Sequence, residues 1–134
     1  MPESTTRELI GRAEAVVNPR RVAGRLLGDV GCALSTDRGN VYVGVCIDTA
    51  SGTGFCAEHA AIAAMVTAGE LNIRQIVAVW KDEQGAAVVV PPCGRCREFI
   101  GQVSETNLES DVILAADHVV KLKELLPYHG WPGS

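Results

Sequence analysis

The sequence predicts an α/β protein in which helices alternate with the strands of one layered sheet. Two β-branched runs, residues 76–80 and 86–90, stand between longer apolar segments that have helical spacing. Helices that fall between strands imply at least one parallel crossover connection. The 134-residue chain is 47% hydrophobic and shows no internal repeats, so we expect a single domain over residues 1–134.

The first half of the chain predicts one helix followed by a hairpin. Apolar residues recur at helical spacing over 6–17, where Asn18-Pro19 then ends the helix. Residues 29–35 and 41–48 are apolar stretches on either side of the turn sequence at 37–40. We expect these two stretches to form antiparallel strands.

The second half predicts two helices that begin at cysteines. A loop rich in Gly, Ser and Thr leads into an apolar helix from Cys56 to Ala68, which Gly69 ends. Another helix starts at Cys93, just after Pro91-Pro92. The remaining predicted elements are the strands 76–80, 86–90 and 111–115 and a last helix at 121–126, ended by Pro127.

Charge and cysteine content restrict the functional class. Twelve basic and sixteen acidic residues give a formal net charge of −4, which argues against binding to nucleic acid. No signal peptide or membrane span is recognisable, so we expect a cytoplasmic protein without a membrane partner. Five cysteines, an odd number, favour reduced thiols over a disulfide framework.

Three of the cysteines have the spacing of a zinc site. Cys93 and Cys96 are three residues apart, which places them on one face of a helix. Cys56 can supply a third thiolate. A catalytic zinc has three protein ligands and leaves a fourth position for water, so these residues predict one Zn²⁺ per chain.

Glu58 distinguishes a catalytic site from a structural one. It lies two residues after Cys56 in a C-x-E pattern, where a closed structural zinc site would supply a fourth cysteine or histidine. A carboxylate at this spacing points away from its neighbouring ligand and can reach the bound water. The alternatives are a closed structural zinc and a glutamate that only complements the helix dipole.

The combination of C-x-E with P-C-x-x-C is the signature of zinc deaminases. The chain resembles the cytidine deaminase family, and within it the small blasticidin S deaminases, over roughly residues 30–131. The strings Cys-Gly-Arg-Cys-Arg at 93–97 and Glu-Leu-Leu-Pro at 124–127 support that branch. The resemblance implies a three-layer α/β/α fold with a mixed sheet of about five strands, and a homotetramer. It also implies that Glu58 transfers protons while Cys56, Cys93 and Cys96 bind zinc.

The resemblance also assigns substrate contacts. Backbone groups near Ala57 and Pro92 would hold the cytosine base. Cys46 and Asp48 occupy the segment that binds ribose in cytidine deaminases, but both differ from the asparagine and glutamate of that family. Tyr128 and Trp131 are either packing aromatics or residues that reach the active site of a neighbouring subunit.

Three further residues are candidates for orienting the zinc ligands. His59 stands where many cytidine deaminases have an arginine that hydrogen-bonds a zinc thiolate, and its imidazole could partly replace that donor. Arg95 and Arg97 are candidate donors to the thiolates, with a solvated arginine as the alternative.

These features predict a zinc-dependent hydrolase that deaminates a cytosine nucleoside or a nucleoside analogue. A drug-inactivating deaminase of the blasticidin S type is the alternative within this class. A non-catalytic zinc module is the alternative outside it, and the acidic charge disfavours a polynucleotide deaminase.

Overall fold

The computed structural model describes residues 4–130 of the chain. These residues contain eight strands and three α-helices. Two 3₁₀ helices cover Glu105–Glu109 and Leu122–Leu125. The α-helices are α1 (Thr6–Val16), α2 (Ala57–Thr67) and α3 (Gly94–Val103). The strands are β1 (Arg20–Val22), β2 (Arg25–Leu27), β3 (Val30–Thr36), β4 (Val41–Val45), β5 (Ile73–Lys81), β6 (Ala87–Val90), β7 (Asp111–Ala115) and β8 (His118–Lys121).

Six of these strands form one mixed sheet with the order β4-β3-β5-β7-β8 and with β6 paired to β5. Strand β3 is antiparallel to both β4 and β5, whereas β7 runs parallel to β5. Strand β6 pairs with residues 78–81 of β5, and β7 pairs with residues 75–76. The parallel β5–β7 pair, whose connection contains α3, is the crossover that the sequence predicts.

Alternate side chains of the sheet enter two separate hydrophobic clusters. In β3, Cys32 and Leu34 belong to the cluster that contains α2 residues such as Ile62. Ala33, between them, belongs to the cluster that contains Leu9 of α1. Because successive strand residues point to opposite faces, α1 covers one face while α2 and α3 cover the other. The predicted three-layer α/β/α fold is confirmed, with six strands in place of about five.

Helix α2 lies unusually close to β4, and Gly44 permits this approach. A Cβ atom at Gly44 would lie 2.5 Å from the Ala61 nitrogen and 2.6 Å from the Ala60 Cβ. Such distances are far inside van der Waals contact, so only glycine fits here. The contact holds the first half of α2, which carries Glu58, against the sheet.

The predicted last helix, 121–126, is wrong. Residues His118–Lys121 form β8, antiparallel to β7, and only Leu122–Leu125 make a 3₁₀ turn. Lys121 pairs with Asp111 across the strands at 2.8 Å, while its backbone nitrogen donates to Glu124 at 2.8 Å. Strand pairing outweighs local helix propensity here, and Pro127 limits the turn that follows.

The β1–β2 ribbon is not among the elements that the sequence predicts. Its two-residue turn has positive φ angles, 51° at Ala23 and 83° at Gly24. Such turns match the twist of a hairpin, but an alanine at the first position hides the usual Asn-Gly or Asp-Gly signal. Within residues 4–130, none of the helices combines the length and the apolar character that crossing a bilayer needs.

Candidate metal and catalytic site

Three cysteine sulfurs converge where α2 and α3 begin. Cys56 and Cys93 are the N-cap residues of α2 and α3, and Cys96 lies in the first turn of α3. The Cys93 sulfur is 3.5 Å from that of Cys56 and 3.4 Å from that of Cys96. Zinc bound to sulfur at about 2.3 Å in a tetrahedron requires sulfurs roughly 3.8 Å apart. The thiols therefore fit one zinc ion after a shift of a few tenths of an ångström.

The helix starts leave these thiols available for a metal. Neither Cys56 nor Cys93 uses its side chain to cap its helix. The unpaired amides and the positive end of each helix dipole help to offset thiolate charge. Burial raises the pKa of both Cys56 and Cys96. Burial also acts on Cys93, but hydrogen bonds with the Cys96 amide and with the neighbouring thiols bring its pKa below the usual value.

Glu58 stands beside this cluster as a buried carboxylate. Only 5% of its surface is exposed, although it occupies the second position of α2. Burial raises the pKa of Glu58, while hydrogen bonds from its own amide and from the Cys96 thiol act in the opposite direction. A carboxyl whose pKa moves toward neutrality is suited to both accepting and returning a proton.

A cavity of about 250 Å³ opens against the cluster. Glu58, Cys56 and Cys93 form one part of its lining, together with Ala57 and Pro91. This volume is just below the usual range for small-molecule sites, about 300–1,000 Å³. The predicted contact Pro92 is buried and borders a second space of only about 10 Å³ that Glu58 also lines.

Cys46 and Asp48 lie on the wall of the larger cavity, and Asp29 joins them there. The Cys46 thiol donates to Asp29 Oδ1 at 3.1 Å, and Trp80 Nε1 donates to Asp29 Oδ2 at 3.1 Å. Burial, followed by the hydrogen bond to Asp29, raises the pKa of Cys46 to about 11. Sequence reasoning missed Asp29, whose one local signal is a carboxylate directly before an apolar strand.

The three residues expected to orient the cysteine ligands, His59, Arg95 and Arg97, have different surroundings. The His59 ring stacks on Phe99, with centroids 4.1 Å apart, and its Nδ1 lies 3.5 Å from the Cys96 sulfur. Burial and the charge of Arg95 lower the pKa of His59. Arg97 Nε donates to the Pro92 carbonyl at 2.9 Å, and Arg95 is exposed. A donor role toward a thiolate stays a prediction, with geometry that suits His59 best.

Of the two C-terminal aromatics, Tyr128 lies within the described residues and is not among those that line the cavity. Tyr128 is fully exposed, with a positive φ of 53°. Trp131 lies outside residues 4–130, to which the structural description extends. Their participation in a neighbouring site stays a prediction.

Comparison with known proteins relates this geometry to a family. A family model described as the cytidine and deoxycytidylate deaminase zinc-binding region matches residues 12–108, which include every cysteine of the cluster. Blasticidin-S deaminase of Bacillus cereus is 40% identical over 76 residues. That match covers 53% of this chain and 54% of the relative, so it spans about half of each protein.

Solved structures agree over nearly the whole chain. The cytidine deaminase of Mycobacterium leprae superposes with a TM-score of 0.75 and 26% identity, covering 93% of this chain and 99% of that one. The cytidine deaminase of Burkholderia pseudomallei gives the same TM-score and identity, with coverage of 95% and 100%. These matches confirm the predicted fold and the predicted zinc cofactor. The chain belongs to the zinc-binding cytidine and deoxycytidylate deaminase family.

Proposed function

We propose that this protein catalyses the zinc-dependent hydrolytic deamination of a cytosine nucleoside or nucleoside analogue, yielding the uracil counterpart and ammonia. One observation supports the proposal above all others: the buried Glu58 lines the same cavity of about 250 Å³ as Cys56 and Cys93. A structural zinc site has no need for an acid beside an open space.

Cys56, Cys93 and Cys96 would hold the metal in this proposal, because their sulfurs already converge and their helix starts offset negative charge. When bound, zinc supplies a Lewis acid that lowers the pKa of water to about 7. The imidazole of His59 stacks on Phe99 and its Nδ1 lies 3.5 Å from the Cys96 sulfur, so it would orient Cys96 as a zinc ligand.

Glu58 would take a proton from the attacking water and return protons to the ring nitrogen and the departing amine. Its burial supports this role, because a carboxyl with a raised pKa binds and releases protons closer to neutral pH. Backbone groups of Ala57 and Pro92 would hold the base. The hydrogen bond from Arg97 leaves one lone pair of the Pro92 carbonyl available.

A blasticidin S deaminase activity is the second candidate, supported by the 40% identity to the Bacillus cereus enzyme. Cys46 and Asp48 also depart from the ribose-binding residues expected for a cytidine deaminase. A thiol is a weaker hydrogen-bond partner than an amide, so cytidine would be positioned less well.

A substrate panel tests both candidates. Zinc-loaded protein is mixed with cytidine, deoxycytidine and blasticidin S, and loss of the cytosine absorbance is followed together with ammonia release. We expect turnover of at least one compound. The ratio of kcat/KM for blasticidin S to kcat/KM for the two nucleosides decides between the two candidate functions. Protein that holds one zinc per chain yet releases no ammonia from any of them would show a non-catalytic zinc module instead.

We infer further that the active form is a homotetramer that acts on a small molecule in the cytoplasm, with neither nucleic acid nor membrane as partner. The net charge of −4 supports the absence of a polyanionic partner.

Helix α2 supports assembly, because it is apolar on most sides while Ala63, Ala64 and Val66 remain exposed. The exposed Tyr128 is available to close a neighbouring cavity.

A further inference from the structure

Two carboxylates lie side by side on the cavity wall. The carboxylate oxygens of Asp29 and Asp48 and the sulfur of Cys46 are all within 4.8 Å of one another. All three residues line the cavity that Glu58 also borders. Asp29 directly precedes β3, and Asp48 follows Cys46 shortly after β4, so the paired strands bring the two acids together.

Asp29 accepts hydrogen bonds from two side chains that carry no positive charge. The Cys46 thiol and the Trp80 indole each donate to one of its oxygens at 3.1 Å. Since burial and this hydrogen bond raise the pKa of Cys46 to about 11, Cys46 is an uncharged donor at neutral pH. These contacts fix the direction of the carboxylate, but they supply no positive charge.

The cavity lining as a whole carries charge of one sign. Among the lining residues that the structure describes, Asp29, Asp48 and Glu58 are acidic, and none is a lysine, an arginine or a histidine. A cleft lined by one sign of charge focuses the field onto whatever enters it. Substrates that share the cytosine base but differ in the charge of the sugar will therefore differ in their affinity for this cavity.

We propose that Asp29, together with Asp48, selects substrates by charge, favouring cytosine nucleosides whose sugar carries a protonated amine and rejecting those whose sugar carries a phosphate. The inference rests on the proposed deaminase function and narrows its substrate class. An ammonium group can donate hydrogen bonds to both carboxylates and offsets one of their two negative charges, whereas a phosphate adds negative charge and accepts only. Neutral sugar hydroxyls can donate but balance no charge, so unmodified nucleosides fall between the two.

The test compares three substrates that share the base. The values of kcat/KM are measured for 5′-amino-5′-deoxycytidine, cytidine and deoxycytidylate with the zinc-loaded protein. We expect the amine to exceed the phosphate by about 100-fold or more, with cytidine between them. Asp29→Asn should reduce the amine-to-phosphate ratio by about tenfold. Equal kcat/KM values for the amine and the phosphate in the parent protein would overturn the proposal.

Matched variants separate local charge from global effects. Glu14→Gln removes one negative charge from the exposed surface of α1, on the opposite face of the sheet, and should leave the substrate ratio unchanged within about twofold. Asp29→Asn could disturb the contacts of Cys46 and Trp80, so Asp48→Asn, at an exposed position, provides a second variant. If neither variant moves the ratio more than Glu14→Gln does, the two aspartates do not select by charge.

Binding measured without turnover distinguishes this inference from the proposed function. Calorimetric titration of the Glu58→Gln protein with the same three compounds should give the order amine, cytidine, phosphate, and the differences should shrink as salt is added. Phosphate binding as tight as that of the amine would refute the charge selection even if every compound is deaminated. Conversely, a charge-ordered series of affinities in a parent protein that deaminates none of the compounds would refute only the deaminase function.

Discussion

Glu58 and Glu70 are each 5% exposed and flank helix α2, one in its first turn and the other three residues beyond its last residue. Their surroundings differ. Glu58 borders the cavity beside the cysteines, whereas one carboxylate oxygen of Glu70 accepts from the Tyr42 hydroxyl at 2.6 Å and from the Asn40 amide at 2.8 Å. The two residues form a matched pair for separating catalysis from stability.

Glu58→Gln is expected to lower kcat by about 10⁴-fold or more, because general acid and base groups contribute about 10²–10⁴-fold and Glu58 would serve several proton transfers. Zinc content should stay at one per chain, and thermal stability should not fall, since the substitution removes a charge that burial disfavours. Glu70→Gln, equally buried, should keep its activity within a few-fold. Parent-like turnover in the Glu58→Gln protein would show that Glu58 takes no part in proton transfer.

Glu70 should contribute stability that depends on pH. The hydrogen bond from Tyr42, supported by Asn40, holds the pKa of Glu70 below its usual value. A lowered folded-state pKa stabilises the protein above the ordinary glutamate pKa of about 4.3, and this contribution disappears as the pH falls through the lowered value. Melting curves of the parent and Glu70→Gln should therefore differ near neutral pH and converge in acid. A constant difference would contradict this account.

Cys96→Ala is expected to abolish stoichiometric zinc, because it leaves only two sulfurs of the three that converge. Cys96 is fully buried, so the control is another fully buried cysteine, Cys32, which belongs to the hydrophobic core around α2. Cys32→Ala should retain one zinc per chain. Both proteins are purified in parallel and analysed for metal by atomic emission. Full zinc occupancy in Cys96→Ala would exclude the proposed ligand set.

Gly44→Ala tests whether the contact between α2 and β4 supports the site. The added methyl group would collide with the backbone of Ala61, so we expect a loss of about 1–3 kcal/mol in unfolding free energy, accompanied by reduced activity. Gly11→Ala on α1, where an added Cβ meets no atom within 4 Å, should instead stabilise by roughly 0.5–1 kcal/mol without affecting turnover. Urea unfolding and kcat/KM are measured on each variant. Equal effects of the two substitutions would argue against a special role for this contact.

The proposed tetramer predicts a light-scattering mass of about four times the 14.2 kDa chain mass. Deletion of residues 127–134 should reduce activity more than zinc content, because the proposed role of Tyr128 lies in a neighbouring cavity while the cysteines stay within one chain. Mass and turnover are measured at the same protein concentration. A monomer with full activity would rule out shared sites.

The sequence by itself determined the chemistry of this protein. The spacing of Cys56, Glu58, Cys93 and Cys96 before apolar helices predicts a catalytic zinc site, because ligand spacing and helix starts are local properties. The resemblance of these motifs to those of zinc deaminases adds the reaction. Periodicity likewise predicts the three α-helices and the central strands that the structure contains.

Only the tertiary structure decided which distant residues surround that chemistry. Asp29 reaches Cys46 and Trp80 because β3 pairs with both β4 and β5, whereas Glu70 meets Tyr42 because α2, which ends just before Glu70, packs on β4. Strand β8 also forms through pairing with β7, against the local preference for a helix. Strand register depends on contacts between segments far apart in the chain, whereas local patterns report only which face of one segment is apolar.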